Sequence, residues 1–393
     1  MKIAIATAVY YPMINGVAVF SHNLAVGLSK RGHEVMVLAP SQTGRHYTRT
    51  VDGVKVQYLS STTVKVYPDQ IHAVPKRRKV LGVRIPRVFY KHGFRVSVFP
   101  GRQVRIALTE FSPDVVHVQV SDPIGLSTVG WARKHGVPVV TTEHNQPEVL
   151  TEPLHVPGVV KKPVDALLSA YFANRQSKSD FVTMPTQLAI DNLRRGRKEL
   201  KVPVRAVSNG VDLKEFRPGR AREEIYEKFG VPRGRPVVLY VGRVDPEKQV
   251  GRVLEAFKQA RTKIPAAVLV VVGDGVDKAK LAAQVEKEGL GNDVRLLGRV
   301  TGPELAEIYR MGTVFAMASE IETQGIVLIE AAASGLPLIA VNAGAVAEIC
   351  HSGENGYLLT PGKNVASEMA AAMVWLLSDP AMRRKFSARS VFR

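Results

Sequence analysis

Short apolar runs alternate with stretches of helical spacing along nearly the whole chain. In the first half, strand-like runs stand at 2–8, 34–39, 54–59, 115–118, 139–142, 181–184 and 204–207. Between them, apolar residues recur every three or four positions over 17–31, 102–111, 125–134, 164–176 and 186–195. The rhythm repeats in the second half, with runs at 237–241, 267–272, 294–297, 314–316 and 338–340 and helical spacing over 250–260, 277–288, 303–311, 325–334 and 365–377. Short strands separated by helices predict an α/β protein with two doubly wound, Rossmann-like parallel sheets. Such sheets hold ligands outside the carboxyl ends of their strands, and the cleft between two such domains is the natural site. The expected division is an N-terminal domain over 1–205, a C-terminal domain over 206–378 and a final helix over 379–393 that packs back on the first domain. The basic, proline-containing stretch 217–222 reads as linker.

Composition narrows the class. A chain of 393 residues, 45% of them hydrophobic, has room for two domains. No apolar run approaches the roughly 18 residues of a membrane span. The start, Lys2-Ile3-Ala4-Ile5-Ala6, is followed by Tyr10-Tyr11-Pro12 and an Asn15-Gly16 turn, so a first sheet strand is expected there and not a signal peptide. Cys350 is the single cysteine; no intramolecular disulfide is possible, which fits a reducing cytosol.

Charge is the unusual property. The formal net charge is +19, and it is one-sided. Residues 1–205 carry 29 Lys/Arg against 13 Asp/Glu, whereas residues 206–393 carry 25 against 22. The segment from Lys76 to Arg105 holds ten cations and no acid. One face of the first half is therefore expected to meet a polyanion.

Candidate chemistry gathers in the second half. Residues 319–335 read Ser-Glu-Ile-Glu-Thr-Gln-Gly-Ile-Val-Leu-Ile-Glu-Ala-Ala-Ala-Ser-Gly. Glu322 and Glu330 have seven residues between them, around Gly325, which opens an apolar run of helical spacing. The first acid is expected in the loop before a helix and the second about 8 Å along it, at about 1.5 Å rise per residue. A helix N-terminus attracts phosphate, and acids so placed suit a nucleotide-sugar. A surface helix whose acids complement its dipole accounts for the same residues equally well. The run 237–241 ends in Gly242-Arg243, with Lys248 five residues beyond Arg243. Two cations on the turn from a strand into a helix suit a diphosphate, or they are surface charge on a solvated loop. Gly273-Asp274-Gly275 allows close backbone approach or simply turns the chain. Neither GxGxxG nor GxxxxGK[ST] occurs, which argues against a dinucleotide oxidoreductase and a P-loop NTPase.

Fewer residues carry chemistry in the first half. Gly16 can set its N–H against a phosphate or sugar at a helix start, or is a turn glycine. His117, near the end of a strand, can meet a sugar hydroxyl or fill the core. His144 and Glu148, in a polar stretch at another strand end, are candidates for acceptor contacts or acid–base work. Spaced His/Cys/Asp/Glu ligands of a metal site are absent, so no metal is expected.

Taken in order, these pieces resemble the retaining GT-B glycosyltransferases of family 4. The resemblance spans nearly the whole chain. It rests on Pro12-x-x-Asn15-Gly16-Val17, Arg31-Gly32-His33-Glu34-Val35, Pro113-Asp114-Val115-Val116-His117, Val207-Ser208-Asn209-Gly210-Val211-Asp212, Gly242-Arg243…Lys248, Gly273-Asp274-Gly275 and Glu322-x7-Glu330. It implies a GT-B fold and a nucleotide-sugar substrate with no cofactor. Arg243 and Lys248 would hold the diphosphate, Glu330 the ribose and Glu322 the donor sugar. The backbone of Gln324, Gly325 and Ile326 would lie against sugar and phosphate, and the turn at Arg299 would touch the base. Gly16 and His117 would close the site, which makes Glu322, His117, Arg243 and Lys248 the catalytic set. The logic is electrostatic stabilisation of a departing nucleoside diphosphate, whose own oxygen serves as base in front-face attack with retention.

Within the family, Glu322-Thr323-Gln324-Gly325 and His144-Asn145-Gln146-Pro147-Glu148 resemble bacterial diacylglycerol glucosyltransferases, with phosphatidylinositol mannosyltransferases as relatives. UDP-glucose is the first expectation for the donor and GDP-mannose the second. The cations Lys76, Arg77, Arg78, Lys79, Arg84, Arg87, Lys91 and Arg95 interleave with Val88, Phe89, Tyr90, Phe94, Val98 and Phe99, a pattern suited to an anionic bilayer. Arg194-Arg195-Gly196-Arg197-Lys198 adds a second basic patch. The expected partners are thus a nucleotide-sugar, a lipid acceptor and an anionic membrane surface, on the inner face of the cell membrane, with no nucleic acid. A soluble acceptor, a sugar-nucleotide epimerase of the same fold and a nucleic-acid-binding protein are the alternatives. Gln119 departs from the family, many of whose members carry a second histidine there.

Overall fold

The structure is a computed structural model. It describes the chain except residues 14–15, 65–71, 81–82, 90–93, 145–166, 168–169, 171–173, 175, 195–201 and 392–393, and gives only the backbone of 64, 72–80, 83–89 and 94. The chain divides into two compact units, Met1–Asn209 and Gly210–Arg393.

The first unit runs β1 (Lys2–Ala6), α1 (Gly16–Lys30), β2 (Glu34–Pro40), β3 (Tyr47–Val51), β4 (Val54–Leu59), β5 (Thr62–Val64), β6 (His72–Val80), β7 (Val83–Phe89), β8 (Phe94–Val96), α2 (Gly101–Phe111), β9 (Val115–Val118), α3 (Pro123–His135), β10 (Val139–Thr142), β11 (Phe181–Met184), α4 (Gln187–Arg194) and β12 (Val204–Ala206). Its main sheet has the order β12-β11-β10-β9-β1-β2-β4-β3. All pairs are parallel except the edge pair β3–β4. Both faces are covered, by a cluster around Met36, Leu38 and Leu108 and another around Ile5, Val37 and Tyr58. Helix α2 shows why the helical spacing works: Val104, Ala107, Leu108 and Phe111 share one buried face, while Arg102 and Arg105 stay in water. Helix α3 starts where Asp122 accepts a hydrogen bond from the Gly125 amide at 2.8 Å.

The second unit runs α5 (Glu223–Lys228), β13 (Val237–Val241), α6 (Val250–Arg261), β14 (Val268–Val272), α7 (Lys278–Lys287), β15 (Val294–Gly298), α8 (Pro303–Met311), β16 (Val314–Met317), α9 (Ile326–Ala333), β17 (Leu338–Val341), β18 (Gly356–Leu359), α10 (Val365–Ser378) and α11 (Pro380–Val391). Six parallel strands take the order β15-β14-β13-β16-β17-β18. Strands β13, β14, β16 and β17 are buried at every residue, as strands covered on both faces must be. Helix α11 packs on α9 and α10 within this unit.

The expected α/β class and the two parallel sheets are present. Several strands were not expected. Strand β3 is a mostly exposed edge of alternating polar residues, and β18 starts with a glycine whose added Cβ would meet the Leu338 carbonyl. β3 has no apolar run and that of β18 is only Tyr357-Leu358-Leu359, so tertiary pairing decides them. The basic segment from Lys76 also contributes sheet: β6 and β7 pair as an antiparallel ribbon, and β8 pairs with β5. The helix expected over 164–176 falls mostly outside the described residues.

Candidate functional site

In the second unit the sheet order reverses between β13 and β16. Connections there leave on opposite faces, so the loops after these two strands open a crevice at the carboxyl edge. Both loops carry the candidate residues. Lys248, after β13, places Nζ 2.5 Å from Oε1 of Glu322, after β16. The same ammonium donates to Ser319 Oγ and the Ile321 carbonyl at 3.4 Å. Only 16% of the Lys248 side chain and 10% of the Glu322 side chain are exposed, so the pair is shielded from solvent screening. The Glu320 amide donates to the Glu247 carbonyl at 3.1 Å, and Arg252 pairs with Glu320 at 3.0 Å, which clamp the two loops together.

Arg243 is engaged by two acids, Asp245 and Glu247, the second at 2.5 Å. Asp245 in turn accepts from the Val276 amide at 3.0 Å, and the Val244 and Asp277 amides bond across to Asp274 and Val244 at 2.9 Å. The β13 and β14 loops are thus stitched side by side. Gly273 permits it: its φ is 142°, and a Cβ there would lie 1.8 Å from the Gly242 carbonyl oxygen. The Gly273 amide reaches the Gly298 carbonyl at 2.7 Å, which draws in the turn carrying exposed Arg299.

Helix α9 begins one residue later than expected, with Gly325 outside it as a left-handed N-cap at φ 79°. Gln324 and Gly325 are buried and Ile326 half-buried at that helix start. Glu330 lies on the second turn, where the Tyr309 hydroxyl of α8 donates to its Oε2 at 2.7 Å. Burial raises the Glu330 pKa to about 7; the Tyr309 hydrogen bond opposes the rise and the Glu215 charge adds to it.

In the first unit the sheet reverses between β1 and β9. Gly16 is the exposed first residue of α1, after β1. His117, on β9, is half-buried, with Nε2 2.7 Å from Thr142 Oγ1, which itself bonds Thr183 Oγ1 at 2.7 Å. Burial lowers its pKa to about 4. His144 is buried; its Nε2 donates to Gln119 Oε1 at 3.1 Å, and its ring packs edge-on against Phe20. Burial first, then the neighbouring His117, lowers its pKa to about 3. Both imidazoles are therefore neutral at physiological pH and act as hydrogen-bonding groups. At the departure noted above, Gln119 keeps a polar partner for His144. Arg95 is turned inward: its guanidinium donates to Ser61 Oγ, the Ser61 carbonyl and Thr63 Oγ1, each at 3.0 Å. Glu148, Lys91 and the side chains of Lys76, Arg77, Arg78, Lys79, Arg84 and Arg87 lie outside the described residues, as do residues 195–198 of the second basic patch.

Sequence reasoning missed Tyr309, Asp245, Glu247 and Thr142. The first is one apolar-face residue of α8 with no motif around it. The acids at positions two and four after Arg243 did carry a signal, because short-range acids beside a cation neutralise it.

Residues 221–390 match the family model for glycosyl transferases group 1, and residues 14–215 match that for glycosyltransferase family 4. An alpha-monoglucosyldiacylglycerol synthase of Acholeplasma laidlawii is 26% identical over 94% of this chain and 87% of its own length. A GDP-mannose-dependent alpha-mannosyltransferase of Mycolicibacterium smegmatis is 32% identical over 91% of this chain and 84% of its own. Among solved structures, a sucrose-phosphate synthase from Thermosynechococcus elongatus covers 100% of this chain and 93% of its own at a TM-score of 0.71 and 19% identity, a likeness of fold. With both units matched and two Rossmann-like sheets in place, the chain belongs to the family 4 glycosyltransferases (group 1) and is a glycosyltransferase of GT-B fold.

Proposed function

We propose that this enzyme transfers a hexose from a nucleotide-sugar, UDP-glucose in first place, to a hydroxyl of a membrane lipid such as diacylglycerol, with retention at the anomeric carbon. The observation that carries the donor side is the pairing of Lys248 with Glu322 at the strand-order reversal, in the loop that leads into the helix carrying Glu330. Lys248 and Arg243 take the diphosphate, and their positive charge stabilises the leaving nucleoside diphosphate as negative charge grows on its bridging oxygen. Glu322, freed from part of its bond to Lys248, accepts from the sugar hydroxyls. Glu330 accepts from the ribose, oriented by Tyr309. Neutral His117 offers a hydrogen bond to the reacting sugar. Arg243 and Lys248 supply the charge that a metal ion would otherwise bring, so the reaction needs none.

The lipid acceptor is supported by the glucosyldiacylglycerol synthase relative and by the one-sided charge of the first unit. That unit also exposes Phe99 at 94% and Val98 at 45%, beside exposed Arg102 and Arg105, a surface suited to the inner face of an anionic bilayer. Among the described residues no helix is long and apolar enough to cross a membrane. A second reading takes GDP-mannose as donor and phosphatidylinositol or a soluble sugar as acceptor; the mannosyltransferase relative, at higher identity, favours it.

The test is an assay of UDP-glucose and GDP-mannose with diacylglycerol in anionic and in neutral vesicles, with and without EDTA. The expected product is an α-glucosyl lipid, formed faster on anionic vesicles and unaffected by EDTA. The same assay with phosphatidylinositol in place of diacylglycerol covers the second reading, which transfer from GDP-mannose to that acceptor alone would support; no transfer to either lipid from either donor would overturn the lipid acceptor.

A further inference from the structure

His117 sits near the carboxyl end of β9, where the first sheet reverses its strand order. Residues two apart on a strand share a face. The register pairs His117 with Val140 and Thr142 with Thr183, so His117, Thr142 and Thr183 stand in a row on one face of the sheet. Both threonines are β-branched, and a strand restricts their χ1 angles. Their hydroxyls are thereby held in place: Thr142 Oγ1 is 2.7 Å from His117 Nε2 and 2.7 Å from Thr183 Oγ1. Thr142 is 1% exposed, so water does not compete for its hydroxyl. His117 and Thr183 are half-buried.

A hydroxyl has one proton to give, and a neutral imidazole has one N–H and one bare nitrogen. With Nε2 taken by Thr142, Nδ1 is the ring nitrogen left for a ligand. Whether it gives or receives a hydrogen bond depends on where the Thr142 proton points. Two arguments send that proton to Nε2. An imidazole nitrogen binds a proton near neutrality and a hydroxyl oxygen does not, so Nε2 is the better acceptor of the two atoms beside Thr142. The separation of 2.7 Å also suits a hydroxyl donor and is at the short limit for an N–H donor, usually found at about 2.9–3.0 Å. Thr183, which reaches the surface, then donates to Thr142 and completes the chain. His144 is set the other way. The Gln119 Oε1 that it meets at 3.1 Å can only accept, so its proton stays on Nε2.

We propose that Thr142 is a positioning residue for the transfer reaction. Its hydroxyl, backed by that of Thr183, donates to His117 Nε2 and holds the ring in the Nδ1–H tautomer. His117 thus presents a hydrogen-bond donor, not a lone pair, to an oxygen of the reacting sugar. Without the Thr142 hydroxyl the ring exchanges between tautomers, and only part of the population donates. The kinetic consequence rests on the reading of His117 as a contact to the sugar; the tautomer itself does not.

Imidazole nitrogen NMR of the isotope-labelled full chain reads the tautomer directly, at pH 7, well above the His117 pKa of about 4. His117→Gln identifies the resonances. Wild type and Thr142→Ser are expected to carry the proton on Nδ1 alone, and Thr142→Val to show a mixture. A proton on Nε2 in wild type, a mixture there, or an unchanged tautomer in Thr142→Val would overturn the proposal. Steady-state kinetics with UDP-glucose and diacylglycerol vesicles give the second readout. Thr142→Val is expected to lose about tenfold in kcat, the worth of one hydrogen bond, with KM for UDP-glucose nearly unchanged. Thr142→Ser, which keeps the hydroxyl, is expected to recover most of that loss. An unchanged kcat in Thr142→Val, or no recovery in Thr142→Ser, would overturn the positioning role. GDP-mannose replaces UDP-glucose if it alone is used. If neither donor is transferred, the proposed reaction fails, and the tautomer measurement alone decides whether Thr142 sets His117.

Discussion

Burial beside Tyr309 brings the ionisation of Glu330 to about 7, so this residue changes charge within the physiological range. Its pKa is raised above the ordinary carboxylate value, so the folded state holds a proton that the unfolded chain has lost. The associated stability is full below about pH 4.5 and falls as pH rises through about 7. Glu330→Gln mimics the protonated acid and removes that fall. The variant is expected to match wild type at pH 5 and to melt higher at pH 8, by up to about 3 kcal/mol for a shift of this size. Binding of UDP-glucose, which carries no group titrating near neutrality, is expected to tighten from pH 6 to 8 in wild type and to be weak and flat in Glu330→Gln. A melting difference that is the same at pH 5 and pH 8 would show that burial does not hold the proton. Lys248 belongs at the same scale. Lys248→Ala removes the donor-side cation and leaves Glu322 in a mostly buried place without its ammonium. The expected result is a loss of about 100-fold or more in kcat, in the range of a removed transition-state donor, with a destabilisation of up to about 3 kcal/mol. Steady-state kinetics and urea titration measure the two effects. Pairing of this kind was hidden in the sequence, where Lys248 and Glu322 stand far apart with no periodicity linking them.

At the scale of elements, the site depends on loops that three adjacent strands, β13, β14 and β15, deliver at one edge. Their close packing is a backbone property. Gly273 cannot carry a side chain, because the atom would fall 1.8 Å from the Gly242 oxygen and the φ of 142° is strained for any L residue. Gly273→Ala is therefore expected to cost more than about 2 kcal/mol, read from the urea midpoint. It is expected to raise KM for the donor as well, because Arg243 and Arg299 sit on the displaced loops. Gly344→Ala, where the added carbon would meet the Glu322 carbonyl at 1.8 Å, should do the same through the β17 loop. A variant with unchanged stability and KM would show that these loops yield more easily than their contacts imply. Gly273 was visible within Gly-Asp-Gly, whereas Gly344 stands in no motif that singles it out. The sequence does not say whether Gly273 turns the chain or admits another backbone, since both uses need only a missing Cβ. Strand periodicity was legible for the fully buried strands, whose apolar runs are uninterrupted. It was not legible for β3 and β18, which take their pairing from neighbours.

For the whole molecule, the two units differ in charge and in their response to acid. The first carries 29 cations against 13 acids over residues 1–209 and holds half-buried His117 and buried His144. The pKa values of His117 and His144 lie below the unfolded value, so the unfolded chain binds protons first. Stability is full above about pH 6.5 and is lost as pH falls toward about 4 and about 3. Hydrogen exchange at pH 5 is expected to show β9 and β10 losing protection before β13 and β14, and His144→Gln to narrow the gap. Equal loss in both units would place the acid sensitivity elsewhere. By itself the sequence determined the α/β class, the two-sheet plan, the charge asymmetry and the candidate pair Glu322 and Glu330, because apolar period, ionisable composition and motif order are local or additive properties. Only the tertiary structure decided that Lys248 meets Glu322 across a strand-order reversal, that Tyr309 holds Glu330, that Arg95 turns inward and that His117 and His144 are neutral. Each of these depends on which distant side chain packs nearby and how much water it displaces, and neither is written in the neighbouring residues.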